Sequence, residues 1–137
     1  MGLREQIKAA EGLRLDLYRD AKGYWTIGYG HCVERKPISQ RAADVILDDD
    51  VNDATRDVLG ALPWTSTLAP ARQDVLAEIA YWAGIGGLLG FHKMLAALEA
   101  GDYAEAAYQI VESDLTEVDR PRATRLSQTM REGVERA

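Results

Sequence analysis

The spacing of apolar and polar residues changes twice within the first thirty positions. Apolar residues recur every three or four positions over residues 3–10, which predicts a short amphipathic helix that Gly12 ends. Over residues 13–18 leucines alternate with more polar residues, and a period of two is typical of a strand. Residues 20–23 have the composition of a turn, and residues 24–29 predict the returning strand. We therefore expect one helix followed by one β-hairpin.

From residue 39 onwards the pattern is helical. Ser39 is placed to cap a long helix that continues to about residue 60. Pro70 suits the first turn of a strongly apolar helix, which is expected to end in the glycine-rich segment 84–87. Three further helices are predicted over residues 92–100, 102–113 and 121–133.

These elements predict an α+β fold in a single domain of 137 residues. Its parts are a small α+β lobe over residues 1–39, a connecting helix over residues 40–60 and a helical lobe over residues 61–137. A chain of this length buries roughly 70% of its unfolded surface, so its core needs no covalent support. The single cysteine, Cys32, excludes an internal disulfide and is compatible with a reducing compartment.

The net charge of −6 is unevenly distributed. Residues 1–36 carry seven Lys and Arg against five Asp and Glu, whereas residues 37–83 carry three against eight. An acidic total argues against general binding to nucleic acid or to an anionic membrane, because both partners require a basic face. A local basic patch near the N-terminus remains compatible with these counts.

No membrane insertion is expected. Charged residues occur every few positions at the start of the chain, so we expect neither a signal peptide nor a membrane anchor there. No other segment approaches the ~20 apolar residues of a spanning helix. Any transport across a membrane would therefore depend on another agent.

Three side chains with catalytic potential converge on the predicted hairpin. Glu11 ends the first helix, Asp20 begins the turn, and Thr26 lies on the returning strand. Two carboxylates that flank a glycosidic bond are the usual equipment for its hydrolysis, one as proton donor and one assisting attack. The negative end of the helix dipole favours a protonated Glu11, which makes it the better donor. The alternative is that these acids are ordinary solvated surface residues, and spacing alone does not decide.

The sequence around these residues resembles the phage-type lysozymes, glycoside hydrolase family 24, which include T-even phage lysozymes and endolysins. Residues 11–15 read EGLRL and residues 18–31 read YRDAKGYWTIGYGH, which is the family's motif context. The pairs Asp50–Val51 and Gly90–Phe91 and the segment 122–125 follow in family order. The resemblance implies a lysozyme-like fold with its active cleft between two lobes, and no cofactor or metal. It also implies a muramidase that cleaves the β-1,4 bond between N-acetylmuramic acid and N-acetylglucosamine in peptidoglycan, with inversion.

Residue by residue, the resemblance assigns the catalytic roles. Glu11 matches the proton donor, Asp20 the second carboxylate, and Thr26 the hydroxyl that helps to place the attacking water. Arg122 matches an arginine that pairs with the catalytic glutamate. Such a pair would favour the ionised form of Glu11, against the helix dipole, and the sequence leaves this balance open.

The resemblance also implies supporting and substrate-binding positions. His31 is expected to interact with Asp50; the alternatives are an exposed histidine or, less supported with so few His and Cys residues, a metal ligand. Tyr81 and Met94 are explained nearly as well by helix packing as by substrate contact. The glycine at position 30 leaves room for backbone groups to approach a saccharide. The substrate-binding positions are Gly30, Cys32, Tyr81, Met94 and Gln109.

Two departures from the family pattern affect the site. The segment 32–39 is shorter than its usual counterpart, which suggests that the small lobe lacks a third strand. Trp82 replaces an expected polar residue, and its indole could fill space, bind sugar or reshape the cleft.

The expected biology is that of an endolysin. The protein would act as a monomer, accumulate in the host bacterial cytoplasm and reach the peptidoglycan when a holin-like membrane protein opens the inner membrane. Two alternatives remain: a lytic transglycosylase that uses Glu11 alone, and a lysozyme-shaped glycan-binding or scaffold module with weak or no turnover.

Overall fold

The computed structural model describes residues 1–135, which form two compact units. The division falls inside a helix, between Ile46 and Leu47. Seven α-helices and three short strands occur in the described residues, so the predicted α+β class is confirmed. The lobe boundaries predicted from the sequence remain a prediction.

The first unit contains helix α1 (Leu3–Glu11) and an antiparallel sheet of order β1-β2-β3. Gly12 ends α1 as predicted, with φ +71° and its N–H donating to the Lys8 carbonyl at 2.9 Å. The strands are β1 (Arg14–Arg19), β2 (Trp25–Gly28) and β3 (His31–Cys32).

The expectation that a third strand is missing was wrong. The two-residue strand β3 pairs with β2 through Thr26–Cys32 and Ile27–His31. The connection between the two strands is a tight turn at residues 29–30, in which Gly30 has φ +75°. Because such a turn returns the chain at once, β3 forms regardless of how short the segment after Cys32 is.

The alternating leucines predicted β1 correctly but do not form a core. Leu13, Leu15 and Leu17 are 52%, 79% and 51% exposed, and Thr26 is the one buried residue among residues 1–46. Alternation fixes which way strand side chains point, but not whether another element covers that face.

Helix α2 (Gln40–Ala61) begins where the sequence predicted. The Ala42 N–H donates to the Ser39 hydroxyl oxygen at 3.1 Å, so Ser39 satisfies one of the backbone donors that a helix start leaves unpaired. The inward face of α2 buries Ala54 and Val58.

The rest of the second unit is helical. After a 3₁₀ turn (Pro63–Thr67), its helices are α3 (Pro70–Leu89), α4 (His92–Glu99), α5 (Tyr103–Val111), α6 (Leu115–Val118) and α7 (Arg120–Glu132). The predicted end of α3 at residues 84–87 was partly right: Gly84 leaves helical geometry with φ 78° and ψ 163°, but helix resumes as far as Leu89. The sequence pattern missed α6, which has only four residues.

The hydrophobic core of the described structure lies in the second unit, where α5 packs against α4 and α7. Its largest side chains, at most 2% exposed, are Leu76, Ile79, Leu88, Met94, Leu98, Ile110, Leu126 and Met130. Within residues 1–135 no single helix has both the length and the apolar composition to cross a membrane. The bent pair α3 and α4, at 96°, passes that test by length and composition only.

Candidate active site

Glu11 is placed by the end of α1. It is the last helical residue, and Gly12 turns the chain directly after it, so the Glu11 side chain leaves the helix beside the sheet. The side chain is exposed. Its carboxylate lies against the turn between β2 and β3, where Gly30 provides no side chain in its way.

Asp20 is placed by the turn between β1 and β2. Its Oδ1 accepts hydrogen bonds from the backbone N–H groups of Lys22 and Tyr24, both at 2.9 Å. This is the self-capping turn that aspartate favours, and it holds the carboxylate in one orientation. Both bonds go to the same oxygen, so among residues 1–135 Oδ2 is available for a ligand.

Thr26 lies on β2 and is 2% exposed. Its hydroxyl donates to the Tyr24 carbonyl at 2.9 Å. A hydroxyl that donates in this way still has lone pairs that can accept a hydrogen bond from water. Thr26 does not line the cavity described next, but its cross-strand neighbours Tyr18 and Cys32 do.

One cavity of about 560 Å³ in the first unit brings Glu11 and Asp20 together. Cys32, predicted to bind substrate, lines it as well. The lining residues are Glu11, Arg14, Tyr18, Arg19, Asp20, Ala21, Lys22, Tyr24, Cys32 and Arg35. The end of α1 and the turn at Asp20 therefore bring both candidate carboxylates to one concave surface, and β3 adds Cys32.

Cationic side chains outnumber the carboxylates in this cavity, four to two. The three arginines stack on aromatic rings, at distances to the ring centroid of 4.6 Å (Arg14 on Tyr18), 4.1 Å (Arg19 on Trp25) and 4.4 Å (Arg35 on Tyr24). Stacking restricts each guanidinium and keeps its polar edge for other partners. These arginines were not predicted individually from the sequence, where the positive balance of residues 1–36 was the one signal for them.

The sequence of the chain matches the model of the family described as phage lysozyme over residues 8–117. The chain belongs to the phage lysozyme family. Its α+β fold is therefore the lysozyme-like fold that the motif led us to expect.

Three curated proteins are similar in sequence to this chain. "Probable T4-type lysozyme 1" of Dictyostelium discoideum is 23% identical over 162 residues, covering 96% of this chain and 95% of the relative. "Endolysin" of Acyrthosiphon pisum secondary endosymbiont phage 1 is 31% identical over 121 residues, covering 85% and 80%. "Pre-baseplate central spike protein Gp5" of Enterobacteria phage T4 is 29% identical over 134 residues, covering 77% of this chain. The alignment spans only 23% of the spike protein.

In this phage lysozyme chain, His31 has a backbone partner within its own unit. Its Nε2 lies 3.0 Å from the Lys36 carbonyl oxygen. Asp50 lies on α2 in the second unit, and its interaction with His31 stays a prediction. No group of three or more His, Cys, Asp or Glu in the described part of the chain is arranged to hold a metal ion.

Arg122 of this family member has a partner that the sequence analysis did not identify. Its Nε donates to Glu78 Oε2 at 2.7 Å, and Arg125 Nη2 donates to the same oxygen at 2.6 Å. The Arg122 guanidinium also stacks on Trp82, 4.3 Å from the ring centroid. Trp82 thus supports an arginine, and the predicted pairing of Arg122 with Glu11 remains a prediction.

The second unit brings Met94 and Gln109 to one cavity, and Tyr81 lies elsewhere. Met94 is 1% exposed in the core, as expected from packing, and it lines a cavity of about 550 Å³ together with Gln109. The Gln109 amide donates to Glu105 Oε1 at 2.7 Å. Tyr81 is 46% exposed and lines two other cavities beside α2.

The salt bridges between Glu78 and its two arginines should make the stability of this phage lysozyme chain depend on pH. Partial burial alone would raise the pKa of Glu78, but hydrogen bonds from Arg125 and Arg122 and their positive charges lower it overall, below the ordinary value of a glutamate. A lowered folded-state pKa stabilises the fold above the unfolded-state pKa, and this stabilisation is lost as the pH falls through the folded-state value. Glu78→Gln should therefore cost about 1–2 kcal/mol in the free energy of unfolding at pH 7 and far less at pH 3.

Urea denaturation of both proteins at the two pH values measures this difference. Glu105→Gln is the matched control, because Glu105 accepts a hydrogen bond from the neutral Gln109 and should lose less stability at pH 7. If Glu78→Gln lowers the free energy of unfolding by the same amount at pH 7 and at pH 3, the charge of Glu78 does not contribute to stability.

Proposed function

We propose that this phage lysozyme chain hydrolyses the β-1,4 bond between N-acetylmuramic acid and N-acetylglucosamine in bacterial peptidoglycan. The observation that carries the proposal is the single cavity lined by both Glu11 and Asp20. Family membership supports the same reaction class. The end of α1 fixes the backbone of Glu11, and the turn at Asp20 holds the Asp20 carboxylate in one orientation, which favours a preorganised site.

The proposed reaction divides the chemistry between the two carboxylates. Glu11 donates its proton to the glycosidic oxygen as the bond to the anomeric carbon breaks. Water attacks that carbon from the opposite face and gives its proton to Asp20. The products are a muramic acid reducing end and a free 4-hydroxyl on N-acetylglucosamine. Inversion needs room for the water, so we expect the carboxyl groups to lie ~6.5–9.5 Å apart in the substrate complex.

Thr26 is proposed to orient the attacking water. Its hydroxyl proton is committed to the Tyr24 carbonyl, which leaves the oxygen of this buried side chain available as an acceptor. The water would then donate one hydrogen bond to Thr26 and its transferred proton to Asp20. Thr26 is almost fully buried and does not itself line the cavity, so this role requires that a water reach its hydroxyl oxygen when substrate is bound.

The positive lining of the cavity supports peptidoglycan as the substrate. Peptidoglycan carries carboxylates on its muramic acid substituents, whereas a neutral glycan such as chitin carries none. An excess of cations at the cavity attracts the anionic polymer although the whole chain is acidic. The alternation of guanidinium groups and aromatic rings also offers flat surfaces on which sugar rings can lie.

Family membership also supports a proposal for where the protein is made and how it reaches the cell wall. The protein would be made in the cytoplasm of a host bacterium, act as a monomer and degrade the wall after a holin-like membrane protein opens the inner membrane, which causes lysis. Similarity to an endolysin supports this route. Similarity to a phage spike protein supports a second one, in which a lysozyme domain works as part of a larger virion protein.

Product analysis on purified sacculi tests the proposed reaction. A muramidase releases muropeptides that end in reducing muramic acid, whereas a lytic transglycosylase releases 1,6-anhydro ends and a glucosaminidase releases reducing N-acetylglucosamine. Proton NMR during the first turnovers should show the α anomer, because inversion converts the β linkage. Binding to sacculi without new reducing ends would instead identify a glycan-binding module.

A further inference from the structure

Gly30 lies where any side chain would collide with the Glu11 carboxylate. It sits in the turn between β2 and β3 with φ +75°. A Cβ atom at this position would lie 2.6 Å from Glu11 Oε2, 2.9 Å from its Cδ and 3.3 Å from its Cγ. Real Cβ atoms do not approach other heavy atoms within 3.0 Å. The space that a side chain would occupy at position 30 is therefore filled by the Glu11 carboxyl group.

The neighbouring Gly28 shows that backbone conformation alone does not explain this glycine. Gly28 has nearly the same positive φ, +71°, and disfavours a side chain for the same conformational reason. A Cβ atom at Gly28, however, would meet nothing within 4 Å. Of these two glycines, only Gly30 has the Glu11 carboxyl group in the space that a Cβ atom would occupy.

We propose that Gly30 is a positioning residue for Glu11, which rests on the proposed function of Glu11 as proton donor. The end of α1 fixes the Glu11 backbone, but a glutamate side chain retains several rotatable bonds and this one is exposed. The bare turn at Gly30 gives the carboxyl group a surface to lie on at one wall of the cavity. This role is separate from the approach of the Gly30 backbone to the saccharide, which stays a prediction.

A side chain at position 30 should displace the carboxyl group and leave the fold in place. The atoms it would strike are the far end of a flexible side chain, which moves more easily than the turn backbone. Misplacing a catalytic group by about 1 Å costs roughly 10²-fold in rate. The effect should fall on kcat, since the proton is transferred in the transition state, and only weakly on KM.

The experiment compares Gly30→Ala with Gly28→Ala. Both variants carry the same strain of a positive φ, so their melting temperatures should fall by similar amounts. Gly30→Ala should have a kcat on sacculi about 10²-fold below that of Gly28→Ala, with similar KM values. Its pH–rate profile should also change on the limb that reports the proton donor. Equal kcat values for the two variants would overturn the proposal.

Two further measurements separate this proposal from the proposed function. In a Glu11→Ala background no carboxyl group remains beside Gly30, so adding Gly30→Ala should reduce the residual rate much less than it reduces the wild-type rate. If Gly30→Ala reduces the rate by the same factor in both backgrounds, Gly30 acts through a group other than Glu11. Carbon-13 NMR of the Glu11 side-chain carboxyl needs no activity: the Gly30→Ala substitution should move this resonance and Gly28→Ala should not. An unmoved resonance refutes the contact, even if the chain proves to be inactive.

Discussion

Glu11→Gln should reduce the release of reducing ends from purified peptidoglycan by about 10²–10⁴-fold, the usual contribution of a positioned general acid. Glutamine has the size and shape of glutamate but no transferable carboxyl proton. Glu11 is exposed at the end of α1 and carries no structural hydrogen bond within the described residues, so the melting temperature should stay close to that of the wild type. The measurement is the initial rate of reducing-end formation together with thermal unfolding.

Glu5→Gln is the matched control for this substitution. Glu5 is an exposed glutamate in the first turn of the same helix, so its replacement makes the same change in net charge. We expect it to retain most of the wild-type rate. Near-wild-type turnover of Glu11→Gln would remove the proton donor from the proposed mechanism, whatever the products are.

Comparing Asp20→Asn with Asp20→Ala should distinguish the catalytic role of Asp20 from its role in holding the turn. Asp20→Asn keeps a side-chain oxygen for the N–H groups of Lys22 and Tyr24, so the turn should survive. Asp20→Ala removes both hydrogen bonds and should lower the free energy of unfolding by about 1–2 kcal/mol. Neither variant can take a proton from water at neutral pH, so both should lose about 10²–10⁴-fold in activity.

Urea unfolding and initial rates on sacculi measure the two effects side by side. Asp16→Asn serves as the control, because Asp16 lies on the neighbouring strand β1 and does not line the cavity. If Asp20→Asn keeps substantial turnover, water activation cannot depend on this carboxylate. If Asp20→Asn loses as much free energy of unfolding as Asp20→Ala, its lower rate would be explained by damage to the turn, and Asp20 would be a structural residue only.

The parts of the fold that the sequence predicted well are those whose ends depend on neighbouring residues. Gly12 ends α1 by adopting a positive φ, and Ser39 caps α2 through a residue three positions away. The turn at Asp20 is closed by bonds to Lys22 and Tyr24. Each of these structures needs only a few consecutive residues, so the local composition carries the information.

Short elements were missed for a related reason. Strand β3 has two residues and α6 has four, too few for any hydrophobic period to register. The strand exists because β2 offers it hydrogen-bond partners, and those partners are set by the turn that contains Gly30. The alternating leucines of β1 show the converse, since a clear period predicted a strand but not a buried face.

Residue types at short spacing were enough to predict the family motif, the α+β order of elements and the candidates Glu11, Asp20 and Thr26. Contacts between elements that are distant in sequence could be seen only in the folded chain. They place the stacked arginines around the two carboxylates, the Glu11 carboxyl group against Gly30, and Glu78 beside Arg122. Arg72 is a further case, since it donates to the carbonyl of Met130, 58 positions along the chain. Such contacts join residues that local pattern does not relate, and they form only when packing brings distant elements to the same place.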